Sequence, residues 1–311
     1  MGAGAVGGLV GGRLAAAGHD TAALARGATL EALRTHGWRV GDEPAQPVRA
    51  ADDPAALGPH DLVVLAVKAT ALPDVAQATA DLLAPDGVVL TAMNGVPWWF
   101  LDGDPLTSVD PGGRLRALLP REQVLGGVVH LSARSPEPGV VRPVAGDRLV
   151  VGEAAGGRSA RAGAVARALA GAGFTAHESA DVRSEVWYKL WGNLTFNPIS
   201  MLTGATADQV IDDPQVHALC VQVMVEAARV GDLVGCPVTE DPEARMDVAR
   251  QLGAFKTSML VDAEDGRPVE LDALVTAVHE IGLRVGVPTP ATDGLLGLAR
   301  LAARNRGLHP W

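Results

Sequence analysis

Lys189, Asn193 and Asn197 recur at intervals of four within the stretch Arg183-Ser-Glu-Val-Trp-Tyr-Lys-Leu-Trp-Gly-Asn-Leu-Thr-Phe-Asn-Pro198. The apolar residues between them keep helical time, so the spacing stacks the three polar side chains along one helix face. An ammonium and two carboxamides on one stripe suit an oxygen-rich ligand. Pro198 predicts that the helix bends or stops there. The plain alternative is a surface lysine accompanied by helix-end asparagines.

Lysine usage adds weight to the first reading. Of 26 basic residues only Lys68, Lys189 and Lys256 are lysine. Arginine keeps its proton in practice, whereas a lysine in a dry pocket can have its pKa lowered far enough to act as an acid or base. Chance survival of a few lysines is the competing explanation.

A second group of residues points to phosphate chemistry. Gly2-Ala-Gly4-Ala-Val-Gly7 runs straight into an alanine-rich helical pattern ending at Gly18. Glycines at such a helix start let the backbone approach a pyrophosphate closely, and the helix's free N–H groups stabilise its charge. His19 to Leu24 reads as a strand, and Arg26 follows it where an acid would hold the ribose of NAD; an arginine there pairs with a 2′-phosphate and favours NADP. Asp61 to Val67 is an apolar run of strand length with Lys68 at its carboxyl end, and Gly87 to Met93 is the next strand, followed by Asn94-Gly95. Carboxyl ends of parallel strands border the ligand crevice, which makes Lys68 and Asn94 candidates, although Asn-Gly is also a common turn pair. The fingerprint should follow a central strand, yet only Met1 precedes Gly2. Either the start is clipped or misplaced or the sheet lacks that strand, and a natural start upstream is the expectation.

The elements that must position these groups fall into two sets. An α/β pattern extends to about residue 180, with short strands at 124–132, 140–144 and 148–151 and a helix at 158–171. Helical patterns follow at 181–198, 206–234, 241–264 and 267–285, with a tail helix from 291. The expected domains are therefore 1–180, a Rossmann-type dinucleotide-binding domain in an α/β chain, and 181–311, an all-α domain. Trp98, Trp99 and Phe100 lie in an irregular segment, 97–121, as a pocket wall or lid or as packing against the domain surface.

Composition excludes several functions. A net charge of -10 without a basic cluster argues against nucleic acid. No run of about 18 apolar residues could span a bilayer. Cys220 and Cys236 have no partners at metal spacing, and no two of the 8 histidines stand four apart, so no metal is assigned. The opening residues carry no export signal, and a cytoplasmic location is expected.

Taken together, the motifs resemble those of the ketopantoate reductases, 2-dehydropantoate 2-reductases that use NADPH, along nearly the whole chain. They are Gly2-Ala-Gly4-Ala-Val-Gly7, Ala66-Val-Lys68, Met93-Asn94-Gly95, Glu185-Val-Trp-Tyr-Lys189 with Asn193 and Asn197, Ser258-Met-Leu, Gly266-Arg-Pro-Val-Glu270-Leu-Asp and Gly286-Val-Pro-Thr-Pro290. The resemblance implies that Lys189 is the general acid protonating the ketone oxygen, that Glu270 binds the substrate hydroxyl, and that Asn193, Asn197 and Ser258 contact substrate. It also implies cofactor contacts from Gly2, Gly4, Ala5, Val6, Gly7, Lys68 and Asn94, with Arg26 at the 2′-phosphate, and a homodimer. Pro97 to Pro120 is longer and more aromatic than the family pattern, which leaves a related 2-oxo acid or β-keto compound open beside ketopantoate. Two other readings are a β-hydroxyacid dehydrogenase, which should carry a Gly-x-x-Gly-x-Gly-x-x-x-Lys stretch absent around Lys189, and a non-catalytic NADP-binding or redox-sensing protein.

Overall fold

The computed structural model describes residues 1–251 and 253–311. They form two units, Met1–Met93 with Arg114–Glu185, and Asn94–Gly113 with Val186–Trp311.

In the first unit the order is α1 (Ala5–Ala16), β1 (Ala22–Leu24), α2 (Gly27–His36), β2 (Arg39–Val40), β3 (Arg49–Ala51), β4 (His60–Leu65), α3 (Leu72–Asp81), β5 (Leu83–Ala92), α4 (Arg114–Leu118), β6 (Val124–Glu137), β7 (Val140–Glu153), α5 (Ala160–Gly171) and β8 (Thr175–Glu178). A six-stranded sheet runs β2-β7-β6-β5-β4, with β8 also paired to β7. Strands β4, β5 and β6 are parallel neighbours, and β6 and β7 form a long antiparallel hairpin. The near-continuous apolar runs of β4 and β5 reflect a sheet covered on both faces. Leu9, Val10 and Leu14 of α1 and Val165 and Leu169 of α5 pack with Leu90, Leu125 and Val151 of the strands.

Strands β1 and β3 form a separate two-stranded parallel sheet, covered by Leu30 and Leu33 of α2 together with Trp38. Among the described residues no strand lies between β1 and β4. Met1 alone stands there: its amino group donates to the Val64 carbonyl at 3.0 Å, and its own carbonyl accepts from Ala66 N–H at 3.0 Å.

The second unit is helical. It takes most of α6 (Val182–Thr203), then α7 (Ala207–Asp212), α8 (Pro214–Leu233), α9 (Pro242–Arg250), α10 (Ser258–Glu264), a π-helical turn (Asp272–Thr276) continuing into α11 (Ala277–Val285), and α12 (Pro290–Asn305). Pro198 does not end α6, which continues to Thr203. Proline removes one intrahelical donor, but Ile199 and Met201 beyond it are buried, and their packing carries the helix on. The single helix expected over 206–234 is two, because the Asp213 carboxylate accepts from the Gln215 and Val216 N–H groups and Pro214 starts a new first turn. Asp241 and Thr257 cap α9 and α10 in the same way, dividing the expected 241–264 helix.

Residues 94–113 belong to this helical unit, and the aromatic segment is core rather than lid. Trp98, Trp99 and Phe100 are 2%, 2% and 0% exposed. Phe100 stacks on Trp187 with ring centroids 5.5 Å apart. Farther along, the Glu280 carboxylate accepts from the N–H groups of Thr107 and Ser108 at 2.8 and 2.9 Å, and Arg284 donates to the Asp104 and Pro105 carbonyls.

Candidate active site

The glycine turn lies in the first unit. Gly2 has φ +83°, and a Cβ there would sit 2.8 Å from the Ala66 carbonyl oxygen. A Cβ on Gly7 would meet the Gly2 carbonyl oxygen at 2.1 Å. Both positions therefore require glycine to bring the turn, α1 and the end of β4 together. Gly4 differs, since a Cβ there would find nothing within 4 Å. It is the N-cap of α1, has no side chain to cap the helix, and leaves the first-turn N–H groups of Ala5 and Val6 directed outward. That open cradle fits a pyrophosphate.

Arg26 is exposed at the N-cap of α2, two residues beyond β1, where its guanidinium suits a 2′-phosphate. Lys68 follows β4 and precedes the short turn Ala69–Ala71, two residues beyond the Ala66 carbonyl that Gly2 packs on. The donor set thus fits a dinucleotide carrying a 2′-phosphate.

The second group lies in the helical unit and centres on Lys189. Its ammonium donates to Asn94 Oδ1 at 2.7 Å. Residue 189 keeps some surface in solvent, yet burial of the ammonium itself lowers its pKa from 10.5 to about 8, while the negative charge of Glu270 opposes the shift. Glu270 is a buried carboxylate, 8% exposed, two residues before the π-helical turn. A lysine whose pKa lies near 8, held by a carboxamide and within the field of a carboxylate, is equipped to act as an acid.

Asn94 owes its place to that π-helical turn. Val96 N–H donates to the Ala273 carbonyl at 2.8 Å, and Gly95, with φ +83°, lies so close to Ala273 that a Cβ would be 2.6 Å from its oxygen. The Asn-Gly pair is therefore both turn chemistry and a docking point for the residue that holds Lys189. Such π-turns commonly mark functional sites.

Asn193 and Asn197 follow Lys189 on the same face of α6, Asn193 half-buried and Asn197 buried. Ser258 is exposed at the first position of α10, next to Thr257. Thr257 shares a 2.5 Å hydrogen bond with Ser200, the next residue along that face of α6. Sequence reading missed Thr257, Ser200 and Ala273. Thr257 had a signal, a hydroxyl residue just before a helical run; Ala273 acts through its carbonyl and had none.

Among the described residues no three His, Cys, Asp or Glu side chains gather to hold a metal, and no helix is long and apolar enough to cross a membrane.

Comparison with known proteins adds to this geometry. Residues 1–156 match the family model described as ketopantoate reductase PanE/ApbA, and residues 181–303 match its C-terminal counterpart. A 2-dehydropantoate 2-reductase from Mesorhizobium japonicum is 43% identical over 99% of this chain and 98% of its own. A Ralstonia solanacearum protein assigned to the ketopantoate reductases has a crystal structure that superposes with a TM-score of 0.95 at 52% identity, covering 99% of this chain and 98% of the other. The PanE/ApbA family ketopantoate reductase from Ralstonia eutropha gives 0.86 at 29% identity over 99% and 98%.

Proposed function

The chain belongs to the ketopantoate reductase family, and from that premise we propose how its residues carry out the NADPH-dependent reduction of 2-dehydropantoate to pantoate. The observation that carries the reading is the Lys189 ammonium, 2.7 Å from Asn94 and with its pKa lowered to about 8 beside Glu270. NADPH, when bound, supplies the hydride that reaches the ketone carbon.

The glycine turn and first α1 N–H groups hold the pyrophosphate, with Arg26 at the 2′-phosphate and Lys68 beside the phosphates. Lys189 turns its ammonium from Asn94 to the ketone oxygen. As negative charge develops there, the ammonium stabilises it and then gives up a proton, forming the alcohol and leaving a neutral amine to be recharged from solvent. A pKa near 8 makes that transfer easy while keeping the lysine charged at neutral pH. Glu270 accepts a hydrogen bond from the substrate hydroxyl, and its charge holds Lys189 in the protonated form. Asn193, Asn197 and Ser258 orient the substrate.

A homodimer in the cytoplasm is part of the reading. Leu298 and Leu301 are 65% and 52% exposed, three apart on α12, an apolar strip that a second copy would cover. The free thiols Cys220 and Cys236 suit a reducing compartment. Light scattering across a concentration series measures the assembly.

The reaction is tested by adding 2-dehydropantoate to the purified protein with NADPH, and with NADH in parallel. Rapid consumption of NADPH is expected. Tight NADPH binding without consumption would move the search to other 2-oxo acids or β-keto compounds, and absence of binding would refute the cofactor assignment.

A further inference from the structure

Glu270 ends a stretch that belongs to no regular element. From Asp265 the chain passes through Gly266, with φ +67°, and Pro268 before it reaches the carboxylate. Val269 and Leu271, on either side of Glu270, are each 0% exposed, and their burial sets the depth of the stretch. Apolar burial is non-directional, so the aim of the carboxylate between them depends on directional contacts as well.

Those contacts come from one short segment at the end of α12 and beyond it. Arg306 donates to the Ala263 carbonyl at 2.9 Å, Val269 N–H donates to the Leu308 carbonyl at 3.0 Å, and His309 Nε2 meets the Asp272 carboxylate at 3.1 Å. Contacts at residues 263, 269 and 272 bracket Glu270. The segment is itself fixed: Leu308 is 3% exposed, its N–H donates to the Ala303 carbonyl at 2.8 Å, and Arg304 donates to the Pro310 carbonyl at 2.7 Å.

His309 bears most directly on the site. Asp272 opens the π-helical turn two residues past Glu270, and its other oxygen accepts from Thr276 Oγ1 at 3.0 Å. The same turn carries the Leu274 N–H that donates to the Glu270 carbonyl at 3.1 Å and the Ala273 carbonyl that receives Val96. The His309 side chain is 7% exposed, and its Nδ1 faces the Pro310 carbonyl at 2.9 Å. An enclosed ring with an oxygen partner at each nitrogen is held in one orientation, and it holds its partners in turn.

We infer that His309 is a positioning residue of the reduction: through Asp272 it fixes the π-helical turn, and with it the aim of Glu270 and the seat of Asn94 beside Lys189. The inference rests on the assignment of Glu270 to the substrate hydroxyl. His309 itself takes no part in the transfer of hydride or proton.

The test uses the full chain and three variants. His309→Gln puts an amide nitrogen where Nε2 stands and keeps the donor to Asp272. His309→Asn, one methylene shorter, and His309→Leu lose it, and either serves should the other not be recovered as folded protein. Loss of that charged hydrogen bond is expected to raise KM for 2-dehydropantoate and lower kcat, cutting kcat/KM by about tenfold or more, with NADPH affinity within about twofold. The alkaline limb of kcat/KM should move to lower pH as the charge of Glu270 draws away from Lys189. His309→Gln should restore both the rate and the limb. Without substrate, the amides of Val96 and Leu274 should exchange at least about tenfold faster in the loss variants while those of α8 stay unchanged. A lowered Tm with unchanged kcat/KM, limb and exchange would overturn the inference, since His309 would then be a structural contact only, and so would a Gln variant as impaired as the Leu variant. The reductase reading fails separately: if the unaltered chain with NADPH leaves 2-dehydropantoate unreduced, the exchange of Val96 and Leu274 still decides whether His309 holds the turn.

Discussion

Raising the pH from 6 to 10 is expected to shut down reduction along one limb centred near pH 8, set by Lys189. The lysine must carry its proton to act as an acid. Burial of its ammonium places that proton's loss at about 8 instead of 10.5. At pH 7 about nine-tenths of the molecules hold the charged form and at pH 9 about one-tenth, so kcat/KM should fall about tenfold between those values and tenfold per unit beyond. The perturbation that tests the cause is Glu270→Gln. Glu270 raises the lysine's pKa, so its neutralisation moves the limb to lower pH. Loss of the substrate contact would also raise KM, but at every pH alike, which separates the two effects. The assay is the initial rate of NADPH consumption against pH at saturating NADPH, for both proteins. A profile flat to pH 9.5, or a limb that moves upward in Glu270→Gln, would refute the reasoning.

Lys189→Ala should lower kcat by about 10²–10⁴-fold, the usual worth of a positioned acid, while NADPH affinity, read by fluorescence titration, stays within about twofold; retained turnover would remove the assigned acid. Lys189→Met should instead stabilise the fold at pH 7. A pKa lowered from 10.5 to about 8 means that charging the buried lysine costs about 3 kcal/mol below pH 8, a cost that fades as pH rises from 8 to 10.5. The Tm advantage of the methionine variant should therefore shrink over that window, and an advantage constant with pH would contradict it. Gly4→Ala should leave Tm unchanged, because its Cβ has room, yet weaken NADPH, because that room is the ligand's; Gly7→Ala, with 2.1 Å to the Gly2 carbonyl, should lower both stability and affinity. Arg26→Ala should cut kcat/KM with NADPH by about 10- to 100-fold, the worth of a charged hydrogen bond, and leave NADH turnover nearly unchanged.

The placement of the candidate residues was legible because each carries its signal locally. The four-residue spacing of Lys189, Asn193 and Asn197 survives on α6, and the glycine run at residues 2–7 sits at a helix start with the space its pattern requires. Pro198 predicted a bend or a stop; the helix does not stop there, because the buried side chains beyond it decide. Asp213 and Thr257 were visible as residues but not as breaks, since capping competes with a helical pattern that runs through them. What could not be read was long-range: that Asn94 meets a lysine 95 positions later, and that Ala273 holds the turn between them. Trp98, Trp99 and Phe100 looked equally suited to a lid, and only their partners in the fold assign them to the core.

That assignment bears on how the chain is made on the ribosome. The aromatic segment leaves the exit tunnel long before the helices that enclose it. Phe100 waits for Trp187, 87 residues behind, which is roughly 4 to 17 s at ordinary elongation rates. Glu280, which ties down Thr107, follows 173 residues after it, roughly 9 to 35 s later. During that interval two tryptophans and a phenylalanine hang between the finished strand β5 and α4 with nothing to cover them. The nascent protein therefore carries a sticky loop through most of its synthesis, a natural landing place for a chaperone and the stretch from which overexpressed chains would begin to aggregate.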